Sequence, residues 1–505
     1  MSRDAEAWRR KARTFQALGD LPAALDACQT ALSLDPASLE TVHLLADIAF
    51  RIGQFDMAAK FYAHLLAQGD HDPMTVRAYA EALRESGQVD AAIDVLKPVL
   101  AANPTCAPLW ETLGTTMVAR GDRPTALIFL DEALRLDPAN LHARFHRGAA
   151  RFDEGDAAGA LEDVTACASG FNDAGNRASA ELTAAHMALG TGDLAAGWRW
   201  YQGRHKRGTL QEVDYVTRLP RFKGGSVTGK RLFISAEQGL GDEVLFASLL
   251  PDILADIGNG RIGLAVETRL VSLFQRSFPQ VTVVAHKTQT VNGRIRRTFP
   301  DLKPKDYDAW ALLGDFLPTY RGAIDAFPAR DHFLMPDPER VAHWRGQLAR
   351  LGPGPKVGVL WKSLKSTELR DRYFSPFALW RDVLTVPGVH FVNIQYGDTA
   401  AEMAEARAAG LAFTTPEGID LKDDLDDLAA LTAALDLVVG PANATSNIAA
   451  AVGTTIWMLM PPRAWLMLGR DDYPWYPKAR TFVAPAFGDW VPALAEMKAS
   501  LHGLI

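Results

Sequence analysis

Glycine recurs at Gly19, Gly53, Gly87, Gly121 and Gly155, each 34 residues after the last. A fixed period of this length demands a small structural unit that repeats and stacks on its neighbours, because one unit alone cannot bury its apolar face. Each glycine opens a turn with a polar residue: Gly19-Asp20, Gly53-Gln54, Gly87-Gln88, Gly121-Asp122 and Gly155-Asp156. Five residues after each glycine stands Ala24, Ala58, Ala92, Ala126 or Ala160. Pro36, Pro104 and Pro138 close three units at one phase, and Trp8 and Trp110 share an early position in the first and fourth. The grammar is helix, glycine turn, helix, with an alanine where the paired helices cross too closely for a larger side chain.

This pattern resembles the tetratricopeptide repeat. It predicts units at 5–38, 39–72, 73–106, 107–140 and 141–174, and a degenerate sixth at 175–206 with Gly192-Asp193 at its turn and Gly197, Trp198 and Tyr201 in its second helix. Stacked units present a concave surface. Arg9, His43, Arg77, Glu111 and Phe145 are expected on it, a mixed set that suits a peptide or protein partner. Each of them singly also suits a solvated helix face.

A net charge of −7 over 505 residues argues against non-specific nucleic-acid binding. No run of about eighteen apolar residues stands in the sequence, and its start is polar and acidic, so a cytoplasmic protein without membrane association is expected. Cys28, Cys106 and Cys167 are widely spaced and lack partner histidines, which fits packing thiols rather than zinc or disulfides.

After the repeats, at 1–206, comes a linker at 207–229 punctuated by Pro220, Gly224, Gly225 and Gly229. Two α/β halves follow, at 230–335 and 336–505. In the first, an apolar strand at 230–235 turns through Gly239 and Gly241 into a helix from about Asp242. Strand, glycine turn and helix start together point backbone N–H groups at an anion. Further strands are expected at 261–267, 281–285 and 307–313. The basic stretch 287–305 is treated as an insertion or loop, and 328–338 as a hinge. In the second half, a strand at 356–361 runs into the basic loop 362–372, and further strands are expected at 390–395, 436–440 and 455–460. Strands alternating with helices imply parallel sheets covered on both faces, and two such halves imply a two-lobed enzyme with a cleft.

Several segments then carry a closer resemblance. Ala236-Glu-Gln-Gly-Leu-Gly-Asp242 after a strand, Gly197-Trp198, Val357-Gly-Val-Leu-Trp361, Asp436-Leu-Val-Val439, Gly453-Thr-Thr-Ile-Trp457 and Pro474-Trp-Tyr-Pro477 are similar to proteins that fuse tetratricopeptide repeats to a heptosyltransferase-like glycosyltransferase. The resemblance implies a GT-B fold of two Rossmann-like lobes, a nucleotide-sugar donor held mainly by the second lobe, and inverting, metal-independent transfer. The combination also resembles flagellin glycosyltransferases. That implies flagellin as acceptor through the repeats, modified on Ser or Thr, and a CMP-activated nonulosonic acid (pseudaminic or legionaminic) as donor. Many relatives carry Asp-Thr and, four residues on, His at the last helix start; here Ala442, Asn443 and Asn447 stand instead.

Such transfer needs a base for the acceptor hydroxyl and donors or cations for the departing phosphate. Asp242 matches the base position, with Glu237 or Glu243 as substitutes; its alternative role is a helix-terminal cap. Gln238, Gly239 and Gly241 form the acceptor or anion loop. Lys362, Lys365, Arg370 and Arg372 are candidates for the donor phosphate or a sugar carboxylate, with Asn443, Thr445, Ser446 and Asn447 at the facing helix start. Arg463 and Arg470 are further candidates. Trp465, Trp475 and Tyr476 suit either ligand stacking or core packing. The acidic run 420–427 is expected to begin a helix rather than hold a cation. Two other functions fit the same residues: a protein-binding scaffold with a degenerate transferase domain, and a glycan or lipopolysaccharide transferase using an ADP- or UDP-sugar.

Overall fold

The computed structural model describes residues 3–205, 213–291, 294–363 and 372–504. It divides into two compact units, Met1–Phe171 and Asn172–Ile505.

The first unit consists of paired helices: α1 (Arg3–Ala17) with α2 (Leu21–Leu34), α3 (Leu39–Arg51) with α4 (Phe55–Ala67), α5 (Pro73–Glu85) with α6 (Val89–Ala102), α7 (Ala107–Arg120) with α8 (Arg123–Leu136), and α9 (Leu141–Glu154) with α10 (Ala157–Gly170). The five period-setting glycines all take left-handed backbone, with φ from 78° to 101°. That conformation reverses the chain within each pair and strains any residue with a Cβ. Asp20, Asp122 and Asp156 then cap the following helix by accepting the N–H of Ala23, Thr125 and Gly159. All five crossing alanines are fully buried. A second small-residue column runs beside them, through Ala12, Ala46, Ala80, Gly114 and Gly148 at the same period. A Cβ at Gly148 would stand 2.7 Å from Val164 Cγ2, and one at Gly114 would stand 2.7 Å from Leu130 Cγ.

Arg9 departs from expectation. It is fully buried, held by Glu6 at 2.9 Å, Glu40 at 3.1 Å and Asp35 at 3.5 Å. Glu40 comes from the first helix of the next repeat and Asp35 from the turn that leads into it, so Arg9 ties the two repeats together and offers nothing to a partner. His43, Arg77, Glu111 and Phe145 remain partly accessible. Arg77 pairs with Glu81 at 2.8 Å, and Glu111 accepts from Asn140 at 2.8 Å.

The second unit opens with α11 (Ala174–Gly190) and α12 (Leu194–Tyr201). This pair keeps the repeat grammar: Gly192 is left-handed at φ 89° and Asp193 caps α12 through the Ala196 N–H. Its apolar face, however, is spent on the α/β elements. Trp198 and Tyr201 are 1% exposed. The Trp198 indole donates to the Arg321 carbonyl at 2.7 Å, and Tyr201 packs edge-on against Phe246. The compact unit therefore begins at Asn172, whereas the sequence placed this pair with the repeats up to 206.

Strands β1 (Val213–Val216), β5 (Lys287–Val291) and β6 (Arg294–Thr298) form a small sheet in the order β1-β6-β5. The stretch 287–305, expected as a loop, thus contributes an antiparallel strand pair. The two main sheets are wholly parallel. β2 (Arg231–Ser235), β3 (Arg261–Val266), β4 (Thr282–Ala285) and β7 (Ala309–Leu312) lie in the order β4-β3-β2-β7. β8 (Lys356–Val359), β9 (His390–Asn393), β10 (Phe413–Thr414), β11 (Leu437–Pro441), β12 (Ile456–Met460) and β13 (Ala479–Val483) lie in the order β10-β9-β8-β11-β12-β13. Read by chain position the second order is 3-2-1-4-5-6, the doubly wound arrangement, with its switch point between β8 and β11. Both sheets present near-continuous apolar strands, as burial on two faces requires. The crossing between the halves is tethered: the Phe333 and Leu334 N–H groups both donate to the Ala451 carbonyl at 3.0 Å. Among the described residues no helix is long and apolar enough to cross a membrane.

Two stability outcomes follow from this packing. Removing residues 1–171 leaves a unit that still unfolds cooperatively in urea, whereas removing 1–206 strips Trp198 and Tyr201 from its core. Loss of one buried Trp alone costs about 3–5 kcal/mol, so the shorter fragment is expected to be insoluble or to lack a urea transition. Gly148→Ala is expected to cost about 1–3 kcal/mol through overpacking against Val164, read as a lowered urea midpoint.

Candidate functional site

The carboxyl end of β2 leads into a turn that is braced on every side. Ser235 and Ala236 are buried. Arg297, from β6, donates to the Ala236 carbonyl at 2.8 Å and the Gln238 carbonyl at 3.3 Å. Gln238 itself is left-handed at φ 60°, a conformation that costs a non-glycine residue free energy and persists only where its surroundings impose it. Its side-chain amide donates to the Tyr201 hydroxyl at 2.6 Å. Glu237, 2% exposed, accepts two bonds from Arg204 at 2.8 and 2.6 Å and one from the Gly314 N–H at 2.7 Å. Glu243 is equally committed, to the Glu267 N–H and to His286 Nε2, both at 2.8 Å. The two carboxylates considered as substitutes for Asp242 are therefore built into the scaffold.

Asp242 occupies the first turn of the helix Leu240–Phe246. One carboxylate oxygen accepts the Gly239 N–H at 3.2 Å, so the capping role is real. Its acid strength is nevertheless unusual for a cap. Burial, reinforced by the nearby charges of Glu237 and Glu243, pushes the carboxyl up to about 6 against the opposing Gly239 bond. A carboxyl titrating there is poised to take and release a proton near neutrality.

Gly241 meets the second half directly. A Cβ on it would lie 3.3 Å from the Ala444 nitrogen and 3.4 Å from Asn447 Nδ2, and that amide donates to the Gly241 carbonyl at 3.1 Å. The glycine is there because another backbone comes close. Ala444 begins the helix Ala444–Ala451 at the carboxyl end of β11, so the strand ends of the two sheets face each other here. Asn443 and Ser446 cap that helix reciprocally: Asn443 Oδ1 accepts the Ser446 N–H at 3.2 Å, and Ser446 Oγ accepts the Asn443 N–H at 2.8 Å. Two amides expected for a phosphate are thus already bonded. Thr445 is buried.

The basic loop is less simply disposed than its composition suggested. The Trp361 and Lys362 N–H groups both donate to Gln395 Oε1 at 2.9 Å. The Lys362 ammonium bonds the Asp398 carbonyl at 2.8 Å and the Glu402 carboxylate, so a phosphate would have to compete with Glu402 for it. Lys365 and Arg370 lie outside the described residues. Arg372 lies over the Phe487 ring at 4.3 Å. Arg463 sits just beyond β12 with left-handed backbone at φ 52°, while Arg470 pairs with Asp472. Trp475 and Tyr476 are buried and serve as packing; Trp465 stacks on His186 at 5.4 Å.

The acidic run does begin a helix, with Asp424 capping Leu425–Ala434. It also holds the first half. Arg276 clamps Asp426 in two bonds of 2.7 Å, and Arg269 reaches Asp423 at 3.2 Å. Among the described residues no three His, Cys, Asp or Glu side chains gather as a metal site. The structure thus unites Gln238, Gly239, Gly241, Asp242, Asn443 and Asn447 at one junction, with Lys362 held elsewhere along the carboxyl edge. Sequence reasoning missed Arg204, Tyr201 and Arg297, which fix the turn, because each lies far from it in the chain. It also missed Tyr473, 2% exposed and close enough to Asp242 to feel its charge.

The tetratricopeptide repeat family matches residues 15–82 and 73–116. Along nearly its whole length the chain is similar to Protein FlbA of Caulobacter vibrioides, 45% identical over 499 residues that span 98% of this chain and 84% of that protein. Tetratricopeptide repeat protein 7B of Homo sapiens is 27% identical over 137 residues, 27% of this chain and 16% of that protein. Among solved structures, the thermophilic TPR protein TTC0263 of Thermus thermophilus aligns at 23% identity and a TM-score of 0.32, over 35% of this chain and 96% of that one.

The weakened acidity of Asp242 carries a stability signature. The native carboxyl holds its proton more tightly than the unfolded chain does, so its contribution is full below pH 4 and lost as pH rises through about 6. Asp242→Asn keeps an acceptor for the Gly239 N–H and removes the charge. It is expected to be more stable than wild type at pH 8, by on the order of 2 kcal/mol, with the difference closing toward pH 4 in urea melts.

Proposed function

The chain belongs to the family of Protein FlbA, and on that premise we propose that it is a glycosyltransferase whose repeats bind a protein acceptor. In this reading the second unit is a GT-B enzyme that binds a nucleotide-sugar and transfers the sugar to a Ser or Thr hydroxyl, with inversion and without a metal ion. The observation that carries it is the junction at Gly241: two parallel sheets meet at their carboxyl ends, where open α/β folds bind ligands, around a carboxyl that titrates at about 6. Asp242 takes the proton of the acceptor hydroxyl as the new bond to the sugar forms. The nucleotide phosphate leaves toward the β8 side of the switch point in the second half, where Lys362, once released by Glu402, can meet it. Repeat proteins stack to make extended binding surfaces, which suits an acceptor too large for the cleft. The sequence resemblance to flagellin glycosyltransferases supports flagellin as that acceptor and a CMP-activated nonulosonic acid as donor.

Two observations favour a second reading, a scaffold without transferase activity: Lys362 is engaged by Glu402, and the Asn443–Ser446 cap uses its own amides.

Incubating the full chain with CMP, UDP, GDP and ADP during thermal melts separates the two, since a ligand that binds only the native state raises its melting temperature. Stabilisation by CMP supports the proposed donor, stabilisation by UDP or ADP alone moves it to another nucleotide-sugar, and no stabilisation by any of the four favours the scaffold. Where transfer is measured, its rate should rise with pH and level off above about 6, as Asp242 ionises. Asp242→Asn should lower transfer about 10²–10⁴-fold while leaving nucleotide binding intact.

A further inference from the structure

Three side-chain atoms at the junction have no hydrogen-bond partner among the described residues: the Tyr473 hydroxyl, Asn447 Oδ1 and Asn443 Nδ2. Tyr473 is 2% exposed and Asn447 4%, and polar atoms so buried are nearly always paired. They are linked through neighbouring groups. Asn447 is pinned to the Gly241 carbonyl at 3.1 Å, which orients its amide and leaves Oδ1 as an acceptor. Asn443 leads the same helix, its carbonyl carbon 3.5 Å from where a Gly241 Cβ would stand, and its own Oδ1 is used by the cap, which leaves Nδ2 as a donor. Tyr473 stacks on Tyr476, with ring centres 6.0 Å apart, and the Tyr476 hydroxyl donates to the Asn447 carbonyl at 3.4 Å. Burial, followed by the charge of Asp242, pushes the Tyr473 hydroxyl far up, so it keeps its proton and remains a donor as well as an acceptor.

The chemistry of this set is that of a polyol site. It offers one donor, one acceptor and one group that is both, and vicinal hydroxyls match that mixture because each can donate and accept. A phosphate, which only accepts, would face Asn447 Oδ1 and the Asp242 carboxylate as repulsive neighbours.

We propose that Tyr473, Asn443 and Asn447 bind the hydroxyl groups of the transferred sugar beside Asp242, and that Tyr473 is a residue that selects for the sugar rather than for the nucleotide. This rests on the transferase reading. The Asn443–Asn447 helix start then faces the sugar ring, and the phosphate lies toward β8. Tyr473 is held ready at a cost to the fold, since its hydroxyl is buried without a partner until the sugar arrives.

The test uses the full chain and Tyr473→Phe, melted alone, with CMP or CMP-N-acetylneuraminic acid, and with UDP or UDP-N-acetylglucosamine. Without ligand, the variant should melt about 2 °C higher than wild type, because an unpaired buried hydroxyl is removed. The nucleotide alone should stabilise both proteins equally. The additional affinity contributed by the sugar in wild type should fall about tenfold in the variant, the scale of one lost hydrogen bond. Asn443→Asp, which keeps the helix cap but removes the donor and adds a like charge, should lose that additional affinity too. A sugar contribution absent from wild type or unchanged in both variants, or a Tyr473→Phe protein that melts lower, would overturn the assignment while leaving nucleotide binding and the transferase reading intact. Failure of every nucleotide to bind would remove the transferase reading and this assignment together.

Discussion

The Arg204–Glu237 pair is the interaction on which the second unit turns. Both side chains are buried, and taking two such charges out of water costs several kcal/mol each unless geometry and further bonds offset it. Here they do: the contact is bidentate, Glu237 also receives the Gly314 N–H, and Arg204 reaches Asp315 at 3.0 Å. Asp315 in turn pairs with Arg221 at 2.6 Å. One chain of charges therefore joins the end of the helical pair, the turn after β2, the segment after β7 and the segment leading into β2. Removing Arg204 leaves the buried Glu237 carboxylate without its cation, so the end of the helical pair is bound to the turn that bears Asp242.

The repeats were legible because they depend on backbone conformation. A left-handed turn asks for glycine and a close helix crossing asks for alanine, and both leave a period in the sequence. What the period could not say was which residues share a surface. Arg9 falls at a position expected to face a partner, yet it is held by Glu6 on its own helix, Asp35 in the turn that closes its unit and Glu40 of the next. The same blindness moved the boundary. α11 and α12 keep glycine, cap and helix in register, and only their partners, Arg321, Phe246 and Trp475, reveal where they belong.

The site was half visible. Gly239, Gly241 and Asp242 announce themselves by lying between an apolar strand and a helix, whereas Asn443 and Ser446, expected to bond a phosphate, cap their own helix. The hairpin at β5 and β6 did not announce itself, because Lys287–Val291 is solvent-exposed along its whole length and shows no apolar alternation to read. Tyr473 gave no local signal at all. Its meaning comes from burial next to Asp242 and from the bond it does not make. Lys362 shows the opposite limit: its place after β8 was read correctly, but its engagement with Glu402, forty residues on, was not encoded nearby.

The helix Ala444–Ala451 has both ends spoken for. Its start abuts Gly241, and its last carbonyl, that of Ala451, holds the crossing segment at Phe333 and Leu334. Eight residues at 1.5 Å each make a rod of about 12 Å, short enough to behave as a rigid lever. The tether to the crossing and the contact between Gly241 and Asn447 are therefore set by the same short helix. The fold thereby gears the spacing of its two halves to the geometry around a single carboxyl.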